Sequence, residues 1–519
     1  MNLRTALTRP ARYGALASGA LPVLTFPGAG LAWLAWAALV PGMLLMRAAQ
    51  GPREAMVRGW WFGAGFILTG MYWLIPSIGP ALPVLAVLFG VLQAPFGLAV
   101  WWLLRGEPVP HRAAAALVVL PAVWVCAEYA RSWHALGGPW ALLGATQWEH
   151  PAVLGLASVG GVWLVSWVLV GVNTALLVLL SAHGLRVRAL AGAAALAALL
   201  SGPLAFAAQA APATSGSAAV ALVQAGSTPD EQARLEENVR ITRSLAARPV
   251  DLIVWGESST TEDLDRQQAT VARLAALSRA AGAQLLVGED ARKADGKISK
   301  DAVLVDGSGV VARYRKIRLV PFGEYIPLRP LLGWIAGVSA AAGENRVPGS
   351  SVHLLPVVDR GGRPLPVGTL ICFESAFPDM SRAAARQGAE LIVYQSATST
   401  FQSTWAPAQH ASLGALRAAE TGRPVVQAAL TGDSVAYDAQ GRRLARMGTD
   451  EFGAVTVDLA LADPAARTWY VRLGDWVPLT ALAVVLAAAA VAAAPVLRER
   501  RRPGPPPAPT PAGAPPARV

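Results

Sequence analysis

Eight apolar stretches divide the chain, most of them long enough to cross a bilayer, which takes roughly 17–25 residues. They run approximately over residues 10–26, 29–46, 59–76, 81–104, 113–130, 158–182 and 188–208, and again over 476–497. The first is short, but no small-residue cleavage site follows it before the second begins. It therefore reads as an uncleaved helix, not a signal peptide.

Between the seventh and eighth stretches the pattern changes. "AAVALVQAG", "VDLIVWGE" and "QLLVGED" are short apolar runs of strand length. "DEQARLEENVRITRSLAA" and "RQQATVARLAALSRAAGA" carry apolar residues at helical spacing, the second closed by Gly282. "DAVLVDGSGVVARYRK" predicts a hairpin turning at Asp306-Gly307. "LPVGTLICFE" followed by "MSRAAARQGAELIVY" gives strand, helix and strand again. The expected organisation is a membrane domain of about seven helices over 1–208, an α/β domain over 209–475, a transmembrane helix over 476–497 and a tail over 498–519. "RPGPPPAPTPAGAPPARV" in that tail has nothing with which to build a core and reads as disordered. No internal repeat stands out.

Composition agrees with a membrane protein: of 519 residues, 54% are hydrophobic and only 15% charged, with a mean hydropathy of +0.42. The net charge of +11 raises the question of nucleic acid, and its distribution answers it. Arg4, Arg9 and Arg12, then Arg47, Arg53 and Arg58, then Arg105 and Arg112, then Arg186 and Arg188, and finally Arg498, Arg500, Arg501 and Arg502 flank the apolar stretches. If the spans simply alternate, every cluster falls on one side, which the positive-inside rule makes cytoplasmic. The charge is a topology signal, and it puts the α/β domain outside the cytoplasm.

Three residues occupy comparable places in that domain. Glu257 closes "LIVWGE", Cys372 closes "GTLIC", and Lys316 ends one arm of the hairpin in "RYRKIRLVPFGEY". Strand ends are where catalytic groups gather in such sheets. The lysines are Lys293, Lys297, Lys300 and Lys316, the other 40 of the 44 basic residues being arginine. The first three lie in one polar stretch and read as solvated turn residues. At Lys316, among Arg313, Arg315 and Arg318, arginine is the local habit, so a compact ammonium reads as wanted there. A cation favours the thiolate, a carboxylate takes the thiol proton, and the ammonium with the Phe373 backbone N–H stabilises an oxyanion. Such a set performs acyl transfer without metal or cofactor, and no His/Cys metal-ligand spacing is visible. A cysteine used only as a small buried hydrophobe is the bland alternative. Cys126 lies inside the fifth stretch, away from Cys372, so no disulfide is expected; His410 reads as structural.

With these residues in view, the sequence resembles bacterial apolipoprotein N-acyltransferases, which join a nitrilase-like (carbon–nitrogen hydrolase) domain to a multi-span membrane domain. The resemblance rests on "LVQAG", "WGES", "YRKIRLVPFGEYIPL", "LICFES" and "GRPVVQAALTG", and on "GWWFGAGFILTGMYWL" and "PAVWVCAEYARSWHALGGPWALLGATQ" in the membrane part. It implies an α-β-β-α sandwich outside the cytoplasm of the inner membrane. It also implies Glu257 as general base, Lys316 as oxyanion lysine and Cys372 as nucleophile, with Glu324 and Glu374 in support. The implied reaction moves an acyl chain from a phospholipid, through a Cys372 thioester, to the α-amine of a diacylglyceryl-cysteine on an apolipoprotein. Leu331, Leu332, Trp334 and Ile335, in an apolar segment between Lys316 and Cys372, are expected to meet membrane lipid at the acyl entrance.

The chain departs from the family in places. Phe373 stands where tyrosine is frequent, "QSATSTFQS" replaces "SNDAWFG", "ALTG" replaces "TNTG" or "TNNG", and no tryptophan lies near Gln232. These changes bear on substrate shape more than on chemistry. Two other readings stand beside the transferase: a membrane-tethered amidase using the same three residues, which needs a polar pocket open to water, and a lipid-binding scaffold with a decayed site.

Overall fold

In the computed structural model, residues 3–209, 213–246, 248–337, 343 and 345–500 are described. Two strand-rich layers occupy the middle of the chain. β1 (Thr214–Gln224), β2 (Leu252–Trp255), β3 (Gln284–Arg292), β4 (Ile298–Asp306) and β5 (Gly309–Arg315) are followed by β6 (Leu354–Val358) and β7 (Pro364–Ile371). β8 (Leu391–Ser396), β9 (Val425–Ala429), β10 (Ser434–Tyr437), β11 (Arg443–Met447) and β12 (Gly453–Ala462) complete them. They form two six-stranded sheets, ordered β12-β1-β2-β3-β4-β5 and β11-β10-β9-β8-β7-β6.

Alternation along the strands decides how the sheets are covered. In β1, Val220 and Leu222 join Leu252, Leu286 and Leu304 in packing against Leu365, Val367 and Val393 of the second sheet. The intervening Ala219, Ala221 and Val223 face Leu235 and Val239 of helix Glu231–Arg243 and Leu274 and Leu277 of helix Gln268–Ala281. Helices Pro378–Arg386 and Ala406–Thr421 cover the other sheet. A period of two with both faces buried is what an α-β-β-α sandwich requires of its strands. The expected hairpin is present, with Asp306 pairing Gly309 across its turn. Gly282 ends its helix in the left-handed region at φ 63°.

Helices Ala81–Leu104, Pro110–Arg131, Ala157–Ser181, Leu185–Ala208 and Trp476–Ala494 are each long and apolar enough to span a membrane. Pro52–Gly70 and Tyr72–Ile78 form a sixth such unit if taken together across a 56° bend, and Ala32–Arg47 is a shorter apolar helix. The first expected stretch is displaced: the helix runs over Leu3–Ala20, not 10–26, and tightens into a 3₁₀ turn over Leu21–Thr25, where Pro22 lacks the N–H that an α-helix would use.

One end of this bundle gathers the arginines. Arg12 and Arg58 both reach Glu54, and Arg47 donates to the carbonyls of Leu104 and Gly106. The α/β domain sits on the other end. Helix Ala157–Ser181 is broken at Gly160 and Gly161, and the freed Val162 N–H donates to Glu420 Oε1 of the α/β domain at 2.8 Å. Trp476 Nε1 donates to the Val159 carbonyl at 2.9 Å beside the same break.

Candidate active site

β2, β7 and the strand β5 end at one point between the sheets, and each delivers a reactive side chain there. At the end of β2, Gly256 is required because a Cβ would lie 2.1 Å from the Leu430 nitrogen. That close approach fixes Glu257, whose own N–H donates to the Ser396 carbonyl at 3.2 Å. Lys316 follows β5 directly, its side chain buried, and Nζ lies 3.0 Å from Glu257 Oε1 and 2.9 Å from Glu324 Oε1. Cys372 begins a 3₁₀ turn immediately after β7. Its φ of 50° is in the left-handed region, as are those of Ser258 (55°) and Phe322 (62°) beside the two glutamates. Non-glycine residues held there cost roughly 1–3 kcal/mol each, and they mark places where the surroundings over-determine the backbone.

The Cys372 thiol lies close enough to the Glu257 carboxylate for each to shift the other's ionisation. Cys372 keeps some exposed surface, yet burial in its dense surroundings and the neighbouring Glu257 push its thiol up to about 12 despite Lys316. Burial also raises the Glu257 carboxyl, but Lys300 and Lys316 outweigh it and hold the group well below the usual carboxylate range. Burial lowers the Lys316 ammonium, and Glu257 with Glu324 more than restores it. The resting site is therefore a neutral thiol on an ionised carboxylate, backed by ammonium. Moving the proton from sulfur to Glu257 needs no exchange with solvent.

Glu324 and Glu374 have separate tasks. Glu324 holds Lys316 and accepts from the Val320 N–H at 2.9 Å. Glu374 points away from the thiol; it accepts from the N–H groups of Ile317, Arg318 and Ile371 and from the Tyr314 hydroxyl. It fastens the segment after Lys316 to the turn that carries Cys372. Phe373 stacks on Trp140 of the membrane part, ring centroids 6.2 Å apart, and meets Phe377 edge-on. His410, buried behind the turn, hydrogen-bonds Ser375 and Ser396, and burial lowers its imidazole to about 4. Neither the thiol nor His410 thus changes charge near neutrality. With Glu257 ionised throughout and taking the thiol proton, alkylation of Cys372 by iodoacetamide is expected to be level between about pH 6 and 8, whereas unassisted ionisation of the thiol would make it rise about tenfold per pH unit; peptide mapping across that range reads it.

The lysines need a correction. Lys297 is exposed, but Lys293 is drawn into Glu289 and Asp263. Lys300 is inside the site: its Nζ lies 3.1 Å from Glu257 Oε1, 3.0 Å from Ser258 Oγ and 3.1 Å from Asp290 Oδ2. Counting back from the turn at 307–308 would pair Lys300 with Arg315. A one-residue register shift between Leu304 and Val305 makes it the cross-strand neighbour of Lys316 instead, and the Lys316 N–H donates to the Lys300 carbonyl at 2.9 Å.

Two departures from the resembled family prove to be one. The Thr398 N–H and hydroxyl both donate to the Thr431 carbonyl, so the segments 395–401 and 429–432 face each other beside the site. Leu331 and Trp334 are 70% and 67% exposed, Leu332 is half-buried, and the side chain of Ile335 lies outside the described residues.

Family models match in two places: the apolipoprotein N-acyltransferase N-terminal domain over residues 18–175, and carbon-nitrogen hydrolase over 219–467. The apolipoprotein N-acyltransferase of Geobacter metallireducens is 31% identical over 506 residues, covering 91% of this chain and 94% of its own. That of Azotobacter vinelandii is 32% identical over 510 residues, with 92% and 95% covered. Among solved structures, Saccharomyces cerevisiae Nit3, of the nitrilase superfamily, aligns with a TM-score of 0.36 at 21% identity, covering 49% of this chain and 93% of that one. An amidase from Nesterenkonia sp. aligns at 0.35 and 23%, covering 51% and 95%.

Proposed function

The chain belongs to the apolipoprotein N-acyltransferase family, an acyl-transferring enzyme of lipoprotein maturation with a nitrilase-like domain, and on that premise we propose that Cys372 carries the acyl group. The observation behind this reading is the single carboxylate, Glu257, shared by the Cys372 thiol and the Lys316 ammonium.

In the first half-reaction the Cys372 sulfur attacks the ester carbonyl of a phospholipid while its proton passes to Glu257. Two hydrogens of the Lys316 ammonium are directed to Glu257 and Glu324. The third faces the developing oxyanion, helped by the Phe373 N–H. Collapse breaks the ester C–O bond, and the departing lysophospholipid oxygen takes the proton back from Glu257. In the second half the α-amine of a diacylglyceryl-cysteine attacks the thioester, gives a proton to Glu257, and expels the Cys372 sulfur, which recovers it. One ester is consumed and one amide formed.

In this reading residues 1–208 and 476–497 lie in the bacterial inner membrane and 209–475 form the catalytic domain on its extracytoplasmic side. The basic, Pro-rich tail over 498–519 is cytoplasmic, its residues 501–519 lying outside those described. The gathering of Arg12, Arg47 and Arg58 at the bundle end opposite the α/β domain supports that orientation. Leu331 and Trp334, with Leu332, enter the outer leaflet and admit the acyl chain; the exposure of the first two supports this.

The test is intact-mass analysis of the full-length protein after incubation with phosphatidylethanolamine and no acceptor. One hydroxylamine-labile acyl increment on the Cys372 peptide is expected. Release of free fatty acid with no adduct would instead favour the amidase, and neither product would leave only a binding protein.

A further inference from the structure

Two lysines, not one, converge on Glu257. Lys300 Nζ and Lys316 Nζ lie 3.1 Å and 3.0 Å from the same oxygen, Oε1. Adjacent ammonium groups repel, and this pair is held by three carboxylates. Glu257 takes both lysines; Glu324 takes Lys316 at 2.9 Å and Lys300 at 3.6 Å; Asp290 takes Lys300 at 3.1 Å and also Arg346. Three cations therefore face three anions, and removing Lys300 leaves Glu257 and Glu324 to share Lys316 while Asp290 keeps Arg346. Cys372 and His410 are the remaining titratable groups at Glu257, and neither is a cation at neutral pH.

The two lysines are not equivalent. Lys316 sits between Glu257 and Glu324 with 1% of its side chain exposed, where the reacting carbonyl must lie. Lys300 approaches from the opposite strand of the hairpin, with 12% exposed, and spends its remaining contacts on Ser258 and Asp290. It has no contact with Cys372 among its hydrogen bonds or ion pairs, so its effect on the reaction must pass through Glu257.

We propose that Lys300 is a positioning residue that keeps the buried Glu257 ionised and its Oε1 fixed, so that the carboxylate stays ready to take the Cys372 proton as the medium turns acid. This rests on the reading of Glu257 as the base. An opposite charge at this range displaces a carboxyl pKa by about 1–3 units. Starting from well below the usual carboxylate range, Glu257 without Lys300 would enter that range and protonate as pH falls toward about 3–4, and a protonated Glu257 cannot accept the thiol proton.

The measurement is the rate of Cys372 alkylation by iodoacetamide in the full-length, detergent-solubilised protein between about pH 3 and 8, read on the Cys372 peptide so that Cys126 does not contribute. The wild type should be level. Lys300→Met and Lys300→Gln should each gain an acid limb inside that window, with a rate several-fold and at most about tenfold lower at its acid end, and Lys300→Arg should restore the level profile. A profile that is merely scaled down, or unchanged, overturns the proposal. So does failure of both neutral variants to fold while Lys300→Arg folds, which would assign Lys300 to stability alone. Iodoacetamide needs only the thiol and its base, so a phospholipid that never acylates Cys372 would sink the transferase reading and leave this profile intact.

Discussion

Glu257→Gln is expected to slow acylation of Cys372 by roughly 10²–10⁴-fold, the range that removal of a positioned general base covers. The substitution keeps the side chain's shape and an oxygen for the lysines, but an amide takes no proton from a thiol. Because burial and Glu257 hold the thiol at about 12, almost none of it ionises unaided near neutrality. The variant should recover speed as pH rises, since hydroxide then does what Glu257 no longer can. The linkage runs the other way for stability. A carboxyl held low in the folded state contributes stability above its unfolded pKa and loses it as pH falls. Glu257→Gln should therefore also flatten the acid side of the stability profile. Single-turnover acyl-enzyme formation, followed by mass at several pH values, separates the two effects; a variant as fast as wild type at pH 7 would remove Glu257 from the mechanism.

The second large effect is expected at Glu374, and it is one of stability. Glu374→Ala strands the N–H groups of Ile317, Arg318 and Ile371 and the hydroxyl of Tyr314 inside the protein. An unsatisfied buried donor costs roughly 1–3 kcal/mol. Water entering the space offsets part of this, leaving a loss on the order of 4 kcal/mol or more. For a domain of this size that lowers the unfolding midpoint by on the order of 10 °C. Glu374→Gln, which retains one acceptor oxygen, should lose less. Thermal unfolding of the two variants beside Glu257→Gln gives the comparison. A Glu374→Ala midpoint within a degree or two of wild type would mean that the carboxylate does not hold the turn.

Strand and hairpin positions in the α/β domain were legible because alternation and turn residues are local. The 2.0-residue period of β1 and the Asp306-Gly307 turn each appear within ten residues of chain. Glu257, Lys316 and Cys372 were legible as types at strand ends, but their convergence depends on sheet order, which no local pattern carries. Lys300 shows the cost of reading residues singly: in a polar stretch it looks solvated, and only the register with Lys316 turns it inward. Trp140 and His134 were invisible as site neighbours, since their sequence surroundings describe only a membrane helix and the loop after it. The first apolar stretch was misplaced by several residues because Arg4 and Arg9, read as flanking it, lie within the helix.

The contact between the two parts of the chain also constrains how such a protein can be inherited. Trp140 lies against Phe373, His134 donates to the Leu319 carbonyl, and Tyr72 and Trp73 grip Trp405 and Phe401. A chimera that joined this α/β domain to the membrane helices of a relative would meet a foreign floor beneath the nucleophile. Residues 72–73 and 133–140 therefore belong, as units of recombination, with 373–377 and 401–405, although a seam drawn by sequence alone would separate them.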